Sequence, residues 1–192
     1  MDHVEVDVQS TRDGRSVMVH DSTLDRTTNG KGPVNRLTLS EIKHLRILDG
    51  QEIPTTEDVL ACCQSRVGLV LELKAKDLAE SIVQIVSSSE FRDLLISASF
   101  DHQDLARLRH LHPSSTIMPL IGRGPSIRTL WRNSAHDSGN QARLCDEAAL
   151  VDGLKALTFQ IVGYTVNDSD KIAAMNTLDV DGIISDFPDR LL

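Results

Sequence analysis

The chain has 192 residues, 40% hydrophobic and 25% charged, which is an ordinary domain with enough apolar mass for a core. Its formal net charge of −8 argues against a nucleic-acid binder, which needs a basic stripe, and against charge-driven docking on an anionic membrane. No apolar run approaches the roughly 20 residues that span a bilayer, and the N-terminus shows no basic or apolar leader region. Cys62 and Cys63 are adjacent and Cys145 is distant, so no disulfide framework is visible, which suits a reducing cytoplasm.

In chain order, Val4–Val8 and Val17–His20 predict strands. Residues 21–37 carry Thr27, Thr28, Asn29, Gly30, Gly32 and Pro33 and read as a long loop. Thr38 and Glu41 fit a capping box opening a helix with Leu39, Ile42 and Leu45 on one face. Gly68–Lys74 predicts a strand apolar on both faces, as in a sheet covered on both sides. Asp77 and Glu80 suggest a second capping box before Ile82, Ile85 and Val86. Leu94–Ser99 predicts a strand, and Asp101 a cap for the helix of Leu105, Leu108 and Leu111. Thr116–Ile121 predicts another strand, followed by polar, aperiodic residues 122–145. Phe159–Val166 and Asp181–Ser185 complete the strands, with Asp168 capping the helix of Ile172 and Met175 between them. Strand followed by helix, repeated, predicts parallel strands with right-handed crossovers, in an open sheet or a closed barrel. Seven strands are one short of a (β/α)8 barrel.

Several polar residues sit where a core would not place them. Glu5 and Asp7 lie two apart in a strand and leave the same face. Glu72 interrupts an apolar run, where an unpaired carboxylate is costly, and Lys74 follows on its face. His20 ends the run Val17-Met18-Val19. All fall near the C-terminal ends of strands, the active face of a parallel α/β fold. Three carboxylates at one mouth repel each other unless a hard cation such as Mg²⁺ or Ca²⁺ joins them. Lys74 adds positive field for a phosphate oxygen, and His20 can move a proton. Each residue also has a plain structural reading. Exposed strand faces often carry two acids, a histidine at a strand end is commonly structural, Glu72 with Lys74 makes a rim salt bridge, and Asn29-Gly30 makes a turn. Co-occurrence on three strands, at the same end, favours metal-assisted phosphoryl chemistry.

The segments Val4-Glu5-Val6-Asp7-Val8, Thr11-Arg12-Asp13-Gly14, Val19-His20-Asp21 and Leu24-Asp25-Arg26-Thr27-Thr28-Asn29-Gly30-Lys31-Gly32 resemble the glycerophosphodiester phosphodiesterase family. The likeness continues in order through Ile53-Pro54-Thr55-Thr56-Glu57, Leu71-Glu72-Leu73-Lys74, Ser99-Phe100-Asp101, Tyr164-Thr165-Val166-Asn167 and Asp181-Gly182-Ile183-Ile184-Ser185-Asp186-Phe187-Pro188. It implies a TIM barrel of the phospholipase C-like phosphodiesterase kind, spanning residues 1–192. The implied reaction converts a small-molecule glycerophosphodiester to sn-glycerol 3-phosphate and an alcohol. It proceeds through attack of the glycerol 2-hydroxyl on phosphorus and a cyclic phosphate. The resemblance places Glu5, Asp7 and Glu72 on the ligands of one divalent cation, Mg²⁺ or Ca²⁺, His20 on one of two catalytic histidines, and Lys74 near the phosphate. Tyr164 stands on the substrate pocket wall, where the family often has tryptophan.

The family's His-Arg-Gly strand end and its Glu-Asn-Thr segment have no counterpart here. The expectation is therefore a barrel without its first strand and helix, and weak or absent turnover for this chain. His3 shares the face of Glu5 and Asp7 but lies roughly 13 Å before Asp7 along the strand, directed at the lower barrel layers. Two alternatives accompany the hydrolase reading: a non-catalytic remnant that binds phosphodiesters or a partner, and a lysophospholipase D-type relative. The oligomeric state is not set by the sequence.

Overall fold

The computed structural model describes residues 2–91, 93–121, 127–131 and 147–191, with the backbone alone for 127–131 and 147–148. The chain forms two compact units, Met1–Ser115 and Thr116–Leu192.

The first unit opens with a strand, β1 (His3–Ser10), which turns back into the short β2 (Ser16–Met18). The two pair antiparallel, Val8 opposite Met18 and Ser10 opposite Ser16. This corrects the expectation of parallel strands throughout. The connection between them is five residues long, enough for a hairpin and too short for a crossover. Gly14, at φ +72°, serves its turn, where Thr11 Oγ1 donates to Asp13 at 2.6 Å. β1 then pairs in parallel with β3 (Gly68–Leu73), and β3 with β4 (Leu95–Ser99). Every residue of β3 is buried, as its two-sided apolar run predicts.

Residues 21–37 are more than a loop. Leu24 and Val34 enter a buried cluster with Val17, Val19, Ile42 and Ile53. The polar residues of the segment satisfy its turns: Thr28 Oγ1 donates to the Leu24 carbonyl at 2.7 Å and accepts from Gly30 N at 3.0 Å. Asn29 Oδ1 accepts from Arg46 N at 2.8 Å. At Gly30 a Cβ would lie 2.6 Å from Leu45 Cδ1, so a larger residue would have to displace the Leu45 side chain.

Four α-helices follow among the described residues of this unit. α1 (Leu39–Ile42) starts with the expected Thr38–Glu41 capping box. α2 (Thr56–Cys63) starts with another, Thr55–Asp58. α3 (Ala79–Ser88) does not use the Asp77–Glu80 box. Leu78 is drawn into the core, 1% exposed, and Asp77 turns outward at φ +59°. The acceptor comes from the next helix: Asp104 of α4 (His102–Leu111) takes the Leu78 N–H at 3.2 Å. α4 itself is capped by Asp101, as expected.

The second unit contains β5 (Thr116–Pro119), β6 (Ile127–Trp131), α5 (Glu147–Ala156), β7 (Gln160–Gly163), α6 (Ser169–Thr177) and β8 (Gly182–Ile183). β6 is a strand inside the segment expected to be irregular and pairs antiparallel with β7. The rest of residues 122–145, with Cys145, lies outside the described residues. β7 and β8 are parallel, and Asp168 caps α6 as expected. Val151, Leu154, Ile161, Val166, Ile172 and Met175 form the core. Among the described residues no helix is long and apolar enough to cross a membrane.

Candidate metal centre and its histidine

The side-chain period of a strand is two, so Glu5 and Asp7 share a face of β1. The parallel register sets Asp7 opposite Glu72 on β3, which brings the third carboxylate onto that face. Oxygen atoms of Glu5, Asp7 and Glu72 lie within 4.8 Å of one another. Lys74, two residues beyond Glu72, places Nζ 2.8 Å from Glu72 Oε1 and 3.2 Å from Asp7 Oδ1. Its backbone N–H donates to the Val8 carbonyl at 3.0 Å, which carries the pairing with β1 one step beyond β3. Burial pulls the Lys74 pKa down, but the Glu72 and Asp7 carboxylates outweigh it and hold the value above the ordinary lysine range.

The cluster is acidic. Among the described residues it gathers three carboxylates and the Lys74 ammonium, with Glu72 8% exposed. Like charges at this spacing in a poorly solvated site are unfavourable. An all-oxygen donor set of this charge fits one hard divalent cation, and Mg²⁺ and Ca²⁺ both take such ligands.

Ser99 fixes this site from the neighbouring strand. Its buried Oγ donates to the Leu73 carbonyl at 2.8 Å, between Glu72 and Lys74, and accepts from Asp101 N at 3.0 Å. The sequence reading gives Ser99 no role, although a serine two residues before a capping aspartate is a signal of such a turn.

His20 lies outside a strand, because β2 ends at Met18 and the chain bends there. Val19 N still donates to the Asp7 carbonyl at 3.1 Å, so His20 follows directly on a residue tied to the metal-site strand. Gln9 Nε2 donates to the His20 carbonyl at 3.4 Å. The imidazole is exposed, with Nδ1 2.7 Å from Asp21 Oδ1. His3 is at the opposite end of β1, paired with Gly68, as its distance along the strand predicts.

Tyr164 belongs to the second unit, half-buried directly after β7. There the Tyr164–Asn167 and Ser185–Pro188 segments are joined through one amide. Asn167 Oδ1 accepts from Ser185 Oγ at 3.1 Å and from Asp186 N at 2.9 Å, while its Nδ2 donates to Asp186 at 2.7 Å.

An α/β chain with a carboxylate cluster near the strand ends belongs to the class of folds that build their sites at that face. Comparison with known proteins narrows it: the chain belongs to the glycerophosphoryl diester phosphodiesterase family, whose profile matches residues 1–190. The glycerophosphodiester phosphodiesterase of Bacillus altitudinis is 31% identical, with 98% of this chain and 84% of that protein aligned. That of Caldanaerobacter subterraneus is also 31% identical, over 100% of this chain and 84% of the relative. A phosphodiesterase of Oleispira antarctica, solved in complex with the product sn-glycerol-3-phosphate, superposes with a TM-score of 0.81 at 24% identity, covering 100% of this chain and 83% of that one. The fold is thus the α/β TIM barrel of this family, and the chain is a member of a family of phosphodiester hydrolases.

Proposed function

We propose that this protein hydrolyses glycerophosphodiesters to sn-glycerol 3-phosphate and an alcohol at the Glu5–Asp7–Glu72 site. The observation that carries this reading is the convergence of those three carboxylates within 4.8 Å. The family membership and the product found in the Oleispira antarctica relative support the same substrate class.

Glu5, Asp7 and Glu72 would hold one Mg²⁺ or Ca²⁺. Such an ion supplies Lewis-acid charge at a phosphate oxygen. Lys74 keeps its proton, because both neighbouring carboxylates favour the ammonium, and it contributes a second positive charge beside the phosphate. His20 exchanges a proton with an oxygen on phosphorus, a transfer worth about 10²- to 10⁴-fold in rate.

The test is release of sn-glycerol 3-phosphate from glycerophosphocholine, with Mg²⁺ and Ca²⁺ binding measured in parallel by calorimetry. Wild type should bind the ion and release product slowly, in keeping with the weak turnover expected where only one of the two catalytic histidines is matched, and Glu72→Gln should do neither. A wild type that binds no ion overturns the metal assignment. One that binds the ion and releases nothing overturns hydrolysis.

A further inference from the structure

We propose that Asp21 and Arg26 are positioning residues that hold the His20 ring with Nδ1 protonated and leave Nε2 as the atom that exchanges the proton. This rests on the catalytic reading of His20 above and extends it to two residues outside the carboxylate cluster.

The contacts converge on one carboxylate, Asp21. Arg26 Nε donates to Asp21 Oδ2 at 2.7 Å and Arg26 Nη2 to Asp21 Oδ1 at 2.9 Å, a two-pronged grip on the carboxylate. Asp21 Oδ1 then meets His20 Nδ1 at 2.7 Å. Arg26, and then His20, hold the Asp21 carboxyl well below the usual carboxylate range. An ionised carboxylate only accepts, so Nδ1 must be the donor. A neutral imidazole with its proton on Nδ1 has its lone pair on Nε2. That is the reverse of the tautomer free imidazole side chains prefer in water, so the protein has to impose it.

The fold explains why the grip holds on an exposed surface. Leu24 is fully buried, and the turn after Arg26 is fixed by Thr28 Oγ1 on the Leu24 carbonyl. On the other side, Val19 is anchored to Asp7 and the His20 carbonyl to Gln9. Both ends of the chain of contacts are therefore fixed, while the side chains between them remain reachable by substrate. As a plain surface ion pair the group would contribute little to stability. A positioning role predicts an effect on the ring instead.

The experiment combines ¹⁵N NMR of His20 in the whole protein with steady-state kinetics on glycerophosphocholine. Wild-type His20 should show the Nδ1–H tautomer. Asp21→Ala should move it toward Nε2–H and lower kcat about 10- to 100-fold at nearly constant KM. Asp21→Asn, whose amide oxygen still accepts, should restore part of both, and Arg26→Gln should fall between. An Nε2–H tautomer in wild type, or a tautomer that Asp21→Ala leaves in place, overturns the proposal. The tautomer is read without turnover. A protein with the predicted tautomers but no response of kcat to His20→Ala would refute the catalytic reading alone.

Discussion

The hydroxyl of Ser99 reaches across from β4 to the carbonyl of Leu73, 2.8 Å away and buried, and so fixes the backbone between Glu72 and Lys74. The residue that steadies the carboxylate cluster is thus on a strand that contributes none of its ligands. Ser99→Ala leaves a buried carbonyl short of a donor, which costs about 1–3 kcal/mol. Urea unfolding should show that loss, and calorimetry should show weaker divalent-ion binding.

The gathering of three carboxylates within 4.8 Å predicts a thermal response to metal. Saturating Mg²⁺ or Ca²⁺ should raise Tm, since a ligand at 100 times its Kd stabilises by about 2.7 kcal/mol. The gain should vanish in Glu72→Gln, and chelation should reverse it in wild type. Differential scanning calorimetry with and without EDTA measures both.

Lys74 supplies a positive charge to both Asp7 and Glu72. Lys74→Met removes it and leaves a largely buried carboxylate uncompensated, at a cost of about 3 kcal/mol. Divalent metal replaces part of the missing charge, so the loss should shrink in saturating Mg²⁺ or Ca²⁺. Equal losses in both conditions would mean that packing, not charge, sets the cost.

Asp104 caps α3 from a neighbouring helix rather than from its own sequence. Asp104→Ala should therefore destabilise by about 1–2 kcal/mol. Asp77→Gly, which removes any local cap and suits the φ of +59° there, should be nearly silent. Denaturant midpoints for the two variants separate the alternatives.

Acid should weaken the fold through the helix caps. The Thr38 backbone N–H, with the Thr38 hydroxyl, holds Glu41 below its ordinary pKa, and the Thr55 N–H does the same for Asp58. A carboxyl with a lowered folded pKa stabilises above its unfolded value, about 4, and that contribution is lost as pH falls through the folded pKa. Asp104 acts in the opposite sense: burial raises its pKa, so its own contribution declines as pH rises through that range. Urea unfolding between pH 6 and 3 should show a falling stability that Glu41→Gln with Asp58→Asn makes flatter.

Much of the site was legible before any folding. Alternation along a strand is a property of the local backbone, so Glu5 with Asp7 and Glu72 with Lys74 follow from spacing alone. The caps at Thr38, Asp101 and Asp168 are also local, because each side chain bonds an N–H two or three residues on. The helices α2 and α5 carry local signals as well: the Thr55–Asp58 box, and Leu150, Val151 and Leu154 at helical spacing. Other relationships had no local signal. The register that sets Asp7 opposite Glu72, the antiparallel return of β2, the Asp104 cap and the Ser99 brace each join residues brought together by packing. Residue spacing sets which carboxylates can share a face. That they meet is a matter of packing, because pairing between strands depends on the burial of both faces of β3 and not on either strand alone.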